Sequence, residues 1–341
     1  LNPSVWRGSL VLLVKVALAG GLLTWLIFSG RLQLERLAAV PLDWRLLPLV
    51  LLVAGSMILP AVRWWWLLRI QGLREPLTKI IRLTWIGYLT ALVLPGAASG
   101  DLAKGILILR HHHQARARAF STVLADRFLG LHSLLCLGSF SLLWTAVKGE
   151  PQSAIIAIIL ANTVLLAGMT IALIALLEKR SRSLLLWMMP ISLRSAWDES
   201  FALYRAGMPQ LLGCFGLSCV SSTMTVASFS AAAMLLGQDL TWQAAFAAGP
   251  LIVIANCLPF TPGGIGLAEA VSSELIVDFG SDAGGEMMIL VRIACVLITL
   301  PSIIALLVPN RSQAADDRNN FVTKSSRTLT TLKSFGAVDH A

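Results

Sequence analysis

A chain of 341 residues in which 56% of side chains are hydrophobic and only 13% charged carries too much apolar surface for a soluble domain and reads as an integral membrane protein. Its formal net charge is +9, but the basic residues lie in loops between apolar runs, a membrane-topology pattern and not a nucleic-acid-binding face. The five cysteines (Cys136, Cys214, Cys219, Cys257, Cys295) sit in apolar runs without a C-x-x-C pair, which excludes a disulfide framework and a thiolate metal centre.

About 20 residues of helix cross the hydrocarbon of a bilayer. The first apolar run, 9–29, lacks an A-x-A cleavage pattern and is expected to remain as a span. The next, 46–62, is extended by Trp64, Trp65 and Trp66 into an interfacial belt, from which Arg63 is expected to snorkel. Residues 83–98 are a poorer candidate, ending in Leu94-Pro95-Gly96. Runs 121–147 and 153–177 read as full spans. In 194–208, Trp197, Phe201, Tyr204 and Met208 share one helical face, the pattern of a helix lying on the membrane surface. Run 211–236 spans again. Residues 242–286 are interrupted by Pro250, Pro259 and Pro262, and 287–308 forms the last span. The membrane domain is therefore 1–309, and the polar tail 310–341 is expected to be disordered.

Loop charges set the topology. Lys and Arg number five in 63–82, four in 99–120, five in 178–210 and five after 308, against one in 148–152 and none in 237–241. Every strongly basic loop falls on the cytoplasmic side only if 83–98 dips into the membrane and returns. The same logic makes 242–286 a dip from the opposite face. The expected fold is all-α and polytopic: six full transmembrane helices, two opposed re-entrant hairpins, and both termini in the cytoplasm. Each dip carries Leu-Pro, then glycines, then an acid, Asp101 in the first and Glu269 in the second. That weak internal repeat is the mark of inverted-topology transporters.

Ionisable groups at membrane depth are functional candidates. Asp101 and Lys104 are three residues apart on one helix face, and Asp126 and Arg127 open the following span. The four suit either a polar pocket for a lipid headgroup or mutual pairing at helix ends. Glu269 and Arg292 are the counterpart in the second half, with Glu286 as a competing partner for Arg292. Asn256 precedes the second break, where it is placed to satisfy freed carbonyls or to touch substrate. Lys15 is expected to snorkel. The consecutive His111, His112 and His113 splay around a helix and do not converge on a metal. No nucleotide, hydrolase or zinc-protease motif occurs, so no cofactor and no catalytic residue is expected.

Arg63-Trp64 with Leu67-Leu68, Tyr88, LPGAASGDLAK at 94–104, STVLADRFLGL at 121–131 and LPFTPGGIGLAE at 258–269 together resemble, in order and spacing, the membrane domain of lysylphosphatidylglycerol synthase. This flippase-like family also occurs without its catalytic partner. The resemblance covers about residues 5–308. It implies an inner-membrane domain that moves lipids between leaflets or supports their modification. The matching positions are Gly96, Gly100 and Asp101; Asp126 and Arg127; Gly263, Gly264, Gly266 and Glu269. Two departures stand out. Ser99-Gly100 replaces a Gly-Gly before Asp101, with Lys104 supplying the cation that follows, and Ala268 stands where the family often has Arg before its Glu. The tail is too short to encode an aminoacyl-transfer domain, so a lysyl-transferring enzyme is not expected of this chain.

Two functions from different classes follow. One is translocation of a phospholipid, polyprenyl-linked lipid or other glycolipid, with Lys104, Arg127 and Arg292 on phosphate and Asp101, Asp126 and Glu269 orienting them or meeting a cationic substituent. The other is a non-transporting subunit that presents lipid to a separate lipid-modifying transferase.

Overall fold

The structure, a computed structural model, describes residues 17–94, 98–112, 115–148, 153–178, 191–258 and 260–307. Among them every regular element is helical: α1 (Ala17–Phe28), α2 (Leu34–Ala38), α3 (Leu46–Ile70), α4 (Leu77–Val93), α5 (Ala98–His111), α6 (Arg116–Lys148), α7 (Ser153–Leu177), α8 (Ile191–Ala206), α9 (Met208–Leu235), α10 (Trp242–Cys257), α11 (Leu267–Val277) and α12 (Gly284–Leu307). Four of these, within α3, α6, α7 and α9, are long and apolar enough to cross a membrane. The chain divides after Ile298, and the described part of the second unit is the C-terminal end of α12, residues 299–307. The first unit holds α1 to α11 and most of α12. The expected tail, 310–341, lies outside the described residues.

Helix α3 runs on to Ile70, well past the apolar run, and Gly72 stops it with φ +73°. Pro60 lies inside this helix and has no N–H for the carbonyl of Ser56 four residues back. The hydroxyl of Ser221 on α9 donates to that carbonyl at 3.3 Å, so the missing bond is replaced from a neighbouring helix. Pro250 in α10 leaves Phe246 O in the same state, and Gly138 on α6 makes room there. A methyl on Gly138 would come 2.5 Å from Pro250 Cγ and 3.1 Å from Phe246 O.

The two interrupted segments fold as helical hairpins. Leu94 is extended, with φ −89° and ψ 154°, as steric conflict with Pro95 requires of the preceding residue. Leu258 does the same before Pro259, with φ −67° and ψ 137°. Thus α4 ends at the first Leu-Pro and α5 folds back beside it, while α10 ends at the second and α11 returns. The first hairpin is longer than the apolar run 83–98, because it includes the polar return helix α5. The second ends at Val277, and Glu286 already belongs to α12.

Glycine permits both close approaches. A Cβ on Gly87 would lie 2.8 Å from Gly100 O, and one on Gly100 would collide with the Gly87 carbonyl. In the second hairpin Gly263, Gly264 and Gly266 have φ of 58°, 72° and 85°, a region open to glycine alone at low cost.

The largest apolar core lies among α3, α9, α10, α11 and α12, around Leu49, Val53, Phe229, Ile252 and Ile276. A second cluster joins the end of α3 to the first hairpin and the start of α6 through Trp64, Leu68, Ile80 and Ile108. Helix α7 is the outlier, exposing Leu160, Val164, Ile171 and Ile174, as a helix facing lipid does. Its buried Asn162 donates to Ser139 Oγ at 2.6 Å and so fastens it to α6. The amphipathic helix α8 differs from the expected surface helix. It packs on the protein, with Tyr204 buried beside Leu67 and Cys214 and Trp197 edge-on to Phe120; Met208 already starts α9.

Candidate functional site

Five charged side chains from α3, α5 and α6 form a continuous alternating chain. Arg63 Nε donates to Asp126 Oδ1 at 2.7 Å, and Lys104 Nζ bonds Asp126 Oδ2 at 2.9 Å and Asp101 Oδ1 at 2.9 Å. Asp101 then pairs with Arg127. Arg63, Lys104 and Asp126 are buried, at 5%, 5% and 3% exposure; charges at such depth persist only when paired and hydrogen-bonded. Lys104 also lies 4.9 Å from the centroid of the Trp64 ring, a cation–π contact, and the indole is held in turn by Thr122 Oγ1 at 3.0 Å. Three cations enclose two carboxylates, leaving one positive charge in excess.

This chain borders a cavity of about 190 Å³. Arg63, Asp101, Lys104, Asp126 and Arg127 line one side. The rest of the wall includes hydroxyls from three helices: Ser56, Tyr88, Ser221, Ser222 and Thr225 among them, with Ser133 Oγ bonded to Ser222 Oγ at 2.9 Å behind them. The cavity therefore has a cationic end and a hydroxyl-bearing end, with Pro60 and Leu134 between.

The second cluster is closed. Arg292 Nε pairs with Glu269 Oε1 at 2.9 Å, Nη1 donates to Gly263 O at 2.6 Å, and Nη2 donates to Asn256 Oδ1 at 3.2 Å. The other oxygen of Glu269 accepts the Gly266 N–H at 2.7 Å, capping the start of α11. Glu269 is 1% exposed. One guanidinium thus braces the broken stretch of chain to both limbs of its hairpin.

A family model of the lysylphosphatidylglycerol synthase transmembrane region matches residues 12–305. The chain belongs to that family. Comparison with curated proteins finds no match. Family membership and the long apolar helices make this a multi-pass integral membrane protein of lipid metabolism or transport.

Most of the site residues expected for this family member fall into the two clusters, but several play other parts. Gly96 lies outside the described residues. Gly100 serves the contact between α4 and α5. Gly264 is pressed against the Asn256 backbone, where a Cβ would lie 2.6 Å from the carbonyl oxygen. Gly266 passes close to α1, where a Cβ would sit 2.9 Å from Leu22 Cβ. The amides of the second break do not face a cavity: Gly264 N–H bonds Thr261 O at 3.3 Å and Gly266 N–H bonds Glu269. Asn256 accepts from Arg292 and supports no freed carbonyl. Glu286 does not compete for Arg292; its Oε1 accepts the Gln33 N–H at 2.6 Å. His111 Nδ1 bonds Leu107 O and His112 Nε2 meets Glu75 Oε1, each at 2.9 Å, so the two diverge. Among the described residues no three ligand side chains are grouped to hold a metal. Lys15 and His113 lie outside them.

Arg63 is the site residue that sequence reasoning misplaced. It does not snorkel but turns inward, its Nη1 donating to Ser218 Oγ at 2.8 Å. The signal was present in Asp126 and Gly130, one turn apart on α6: a carboxylate beside a missing side chain. A Cβ on Gly130 would lie 3.2 Å from Arg63 Nη1, so the glycine leaves the slot that the guanidinium fills.

Proposed function

We propose that this protein translocates a lipid between the leaflets of the cell's inner membrane, as a flippase-like transporter and not as an enzyme. The observation that carries this reading is a repeated device: in each hairpin an acid in the first turn of the return helix pairs with the arginine of the next long helix. Asp101 with Arg127 and Glu269 with Arg292 are the two copies. The order of elements repeats as well, with α3, hairpin and α6 matched by α9, hairpin and α12. On the topology favoured by loop charges, with both termini cytoplasmic, the two hairpins enter from opposite faces and the repeats are inverted, an arrangement that suits alternating access. The Asp101 copy borders a cavity near the cytoplasmic side, whereas the Glu269 copy is closed around Arg292.

The carboxylates are engaged by cations, and none is paired with a nucleophile as general-base chemistry would need. Reconstitution tests the proposal. Vesicles holding the protein should equilibrate a labelled phospholipid between leaflets faster than empty vesicles do. If neither phospholipid nor polyprenyl-linked glycolipid moves faster, transport falls, and presentation of lipid to a separate transferase replaces it.

A further inference from the structure

Resting on that reading, we infer that the cavity beside Arg127 selects its lipid by charge, taking a headgroup with a single phosphodiester and free hydroxyls and rejecting one that carries an ammonium. The charge count supports this. Both carboxylates already hold two cations each, Asp126 through Arg63 and Lys104, Asp101 through Lys104 and Arg127. A headgroup amine therefore meets no carboxylate that is not already neutralised, and it meets an excess positive charge. A phosphodiester monoanion cancels that excess. In a site of low dielectric the difference between these outcomes is large, because neither charge is screened by water.

The opposite end of the cavity supplies the second half of the selection. The Ser221 hydroxyl donates to the Ser56 carbonyl that Pro60 leaves without its helical partner. Thr225 donates to Ser221 O at 3.1 Å, and the Tyr88 hydroxyl to Met57 O at 3.0 Å. Each of these hydroxyl oxygens retains a lone pair, so the wall offers acceptors to the O–H groups of a polyol. A diphosphate-linked glycan fits poorly on both counts. It brings more than one negative charge against a single excess cation, and the cavity of about 190 Å³ is below the ~300 Å³ at which sites for drug-sized ligands begin.

The test uses the full chain in phosphatidylcholine nanodiscs doped equally with phosphatidylglycerol, phosphatidylethanolamine and lysylphosphatidylglycerol, followed by mass spectrometry of the lipid retained on the protein. Phosphatidylglycerol should be enriched at least about tenfold over each of the others, the ratio that one charge contact supplies. Equal retention, or enrichment of the lysyl lipid, overturns the inference. Arg127→Gln removes the excess charge and should abolish the preference for phosphatidylglycerol over phosphatidylethanolamine; an undiminished preference counts against it. Should that variant fold poorly, Asp101→Asn, which adds to the excess, must keep or raise the enrichment. Soluble glycerophosphoglycerol serves as the tail-free competitor. Displacement of the lipid by it at similar concentration keeps the charge selection but removes the lipid-transport reading. Enrichment of phosphatidylglycerol without any leaflet exchange likewise separates the two.

Discussion

Arg63 and Arg292 are buried by the same rule: a guanidinium at membrane depth persists where its N–H groups meet acceptors. Arg63 finds Asp126 and Ser218, and Arg292 finds Glu269, Gly263 O and Asn256. Removing one member leaves a buried charge uncompensated, at about 3–5 kcal/mol. Arg63→Met should therefore lower the unfolding midpoint in detergent sharply. Asp126→Asn added to it should recover part of the loss, and a further fall in the double variant would contradict the pairing. Glu269→Gln and Arg292→Gln form the second cycle. Each should destabilise the protein, and the double should lose less than the sum by ~0.5–3 kcal/mol. Strict additivity, with both proteins inserted, would mean that the two groups do not interact.

Hairpins cost little only where glycine lets backbone meet backbone. At Gly264 the φ of +72° and the nearby Asn256 carbonyl both oppose a side chain, so Gly264→Ala should cost about 1–2 kcal/mol for the backbone and ~1–3 kcal/mol for the overlap. Gly168 on α7 has nothing within 4 Å of its missing Cβ, and Gly168→Ala should be neutral or stabilising by up to ~1 kcal/mol. Thermal midpoints followed by tryptophan fluorescence compare the two directly. A different element, the connection after α1, is strapped to the turn before α12 by Arg36 and Asp282 at 2.8 Å. The Arg36 hydrogen bond holds the Asp282 carboxyl below the usual carboxylate range. Its contribution is thus complete above about pH 4, the unfolded value, and is lost as pH falls through the lower folded one. Amide exchange at residues 281–283 should quicken in acid, and Asp282→Asn should show the fast rate already at neutral pH.

For the molecule as a whole, membrane orientation decides how the two clusters are used. In a background without the native cysteines, Arg110→Cys should react with impermeant thiol reagents only from the cytoplasmic face, and Asp239→Cys only from the other. Position 110 is exposed and 239 half-exposed. Labelling of residue 110 from outside would make α4 a simple span and end the opposed-hairpin topology. It would leave the Glu269–Arg292 brace intact, because that contact is internal to the second half.

Hydropathy, Leu-Pro pairs and glycine runs determined on their own that the chain is helical, belongs in a membrane and breaks at two places, because lipid and proline impose those outcomes locally. The pairing of Asp101 with Lys104 was also legible, since three residues on a helix put both on one face. Which helices would meet was not. Arg63 and Asp126 are 63 residues apart, and only the packing of α3 against α6, with Gly130 leaving the slot, turned an interfacial arginine into a buried partner. The second break was read as a cradle of open amides, yet the tertiary structure brought Glu269 and Arg292 together to close it. Burial made that choice: away from water, donors and carboxylates must satisfy one another, and which of them are near enough is decided by the fold.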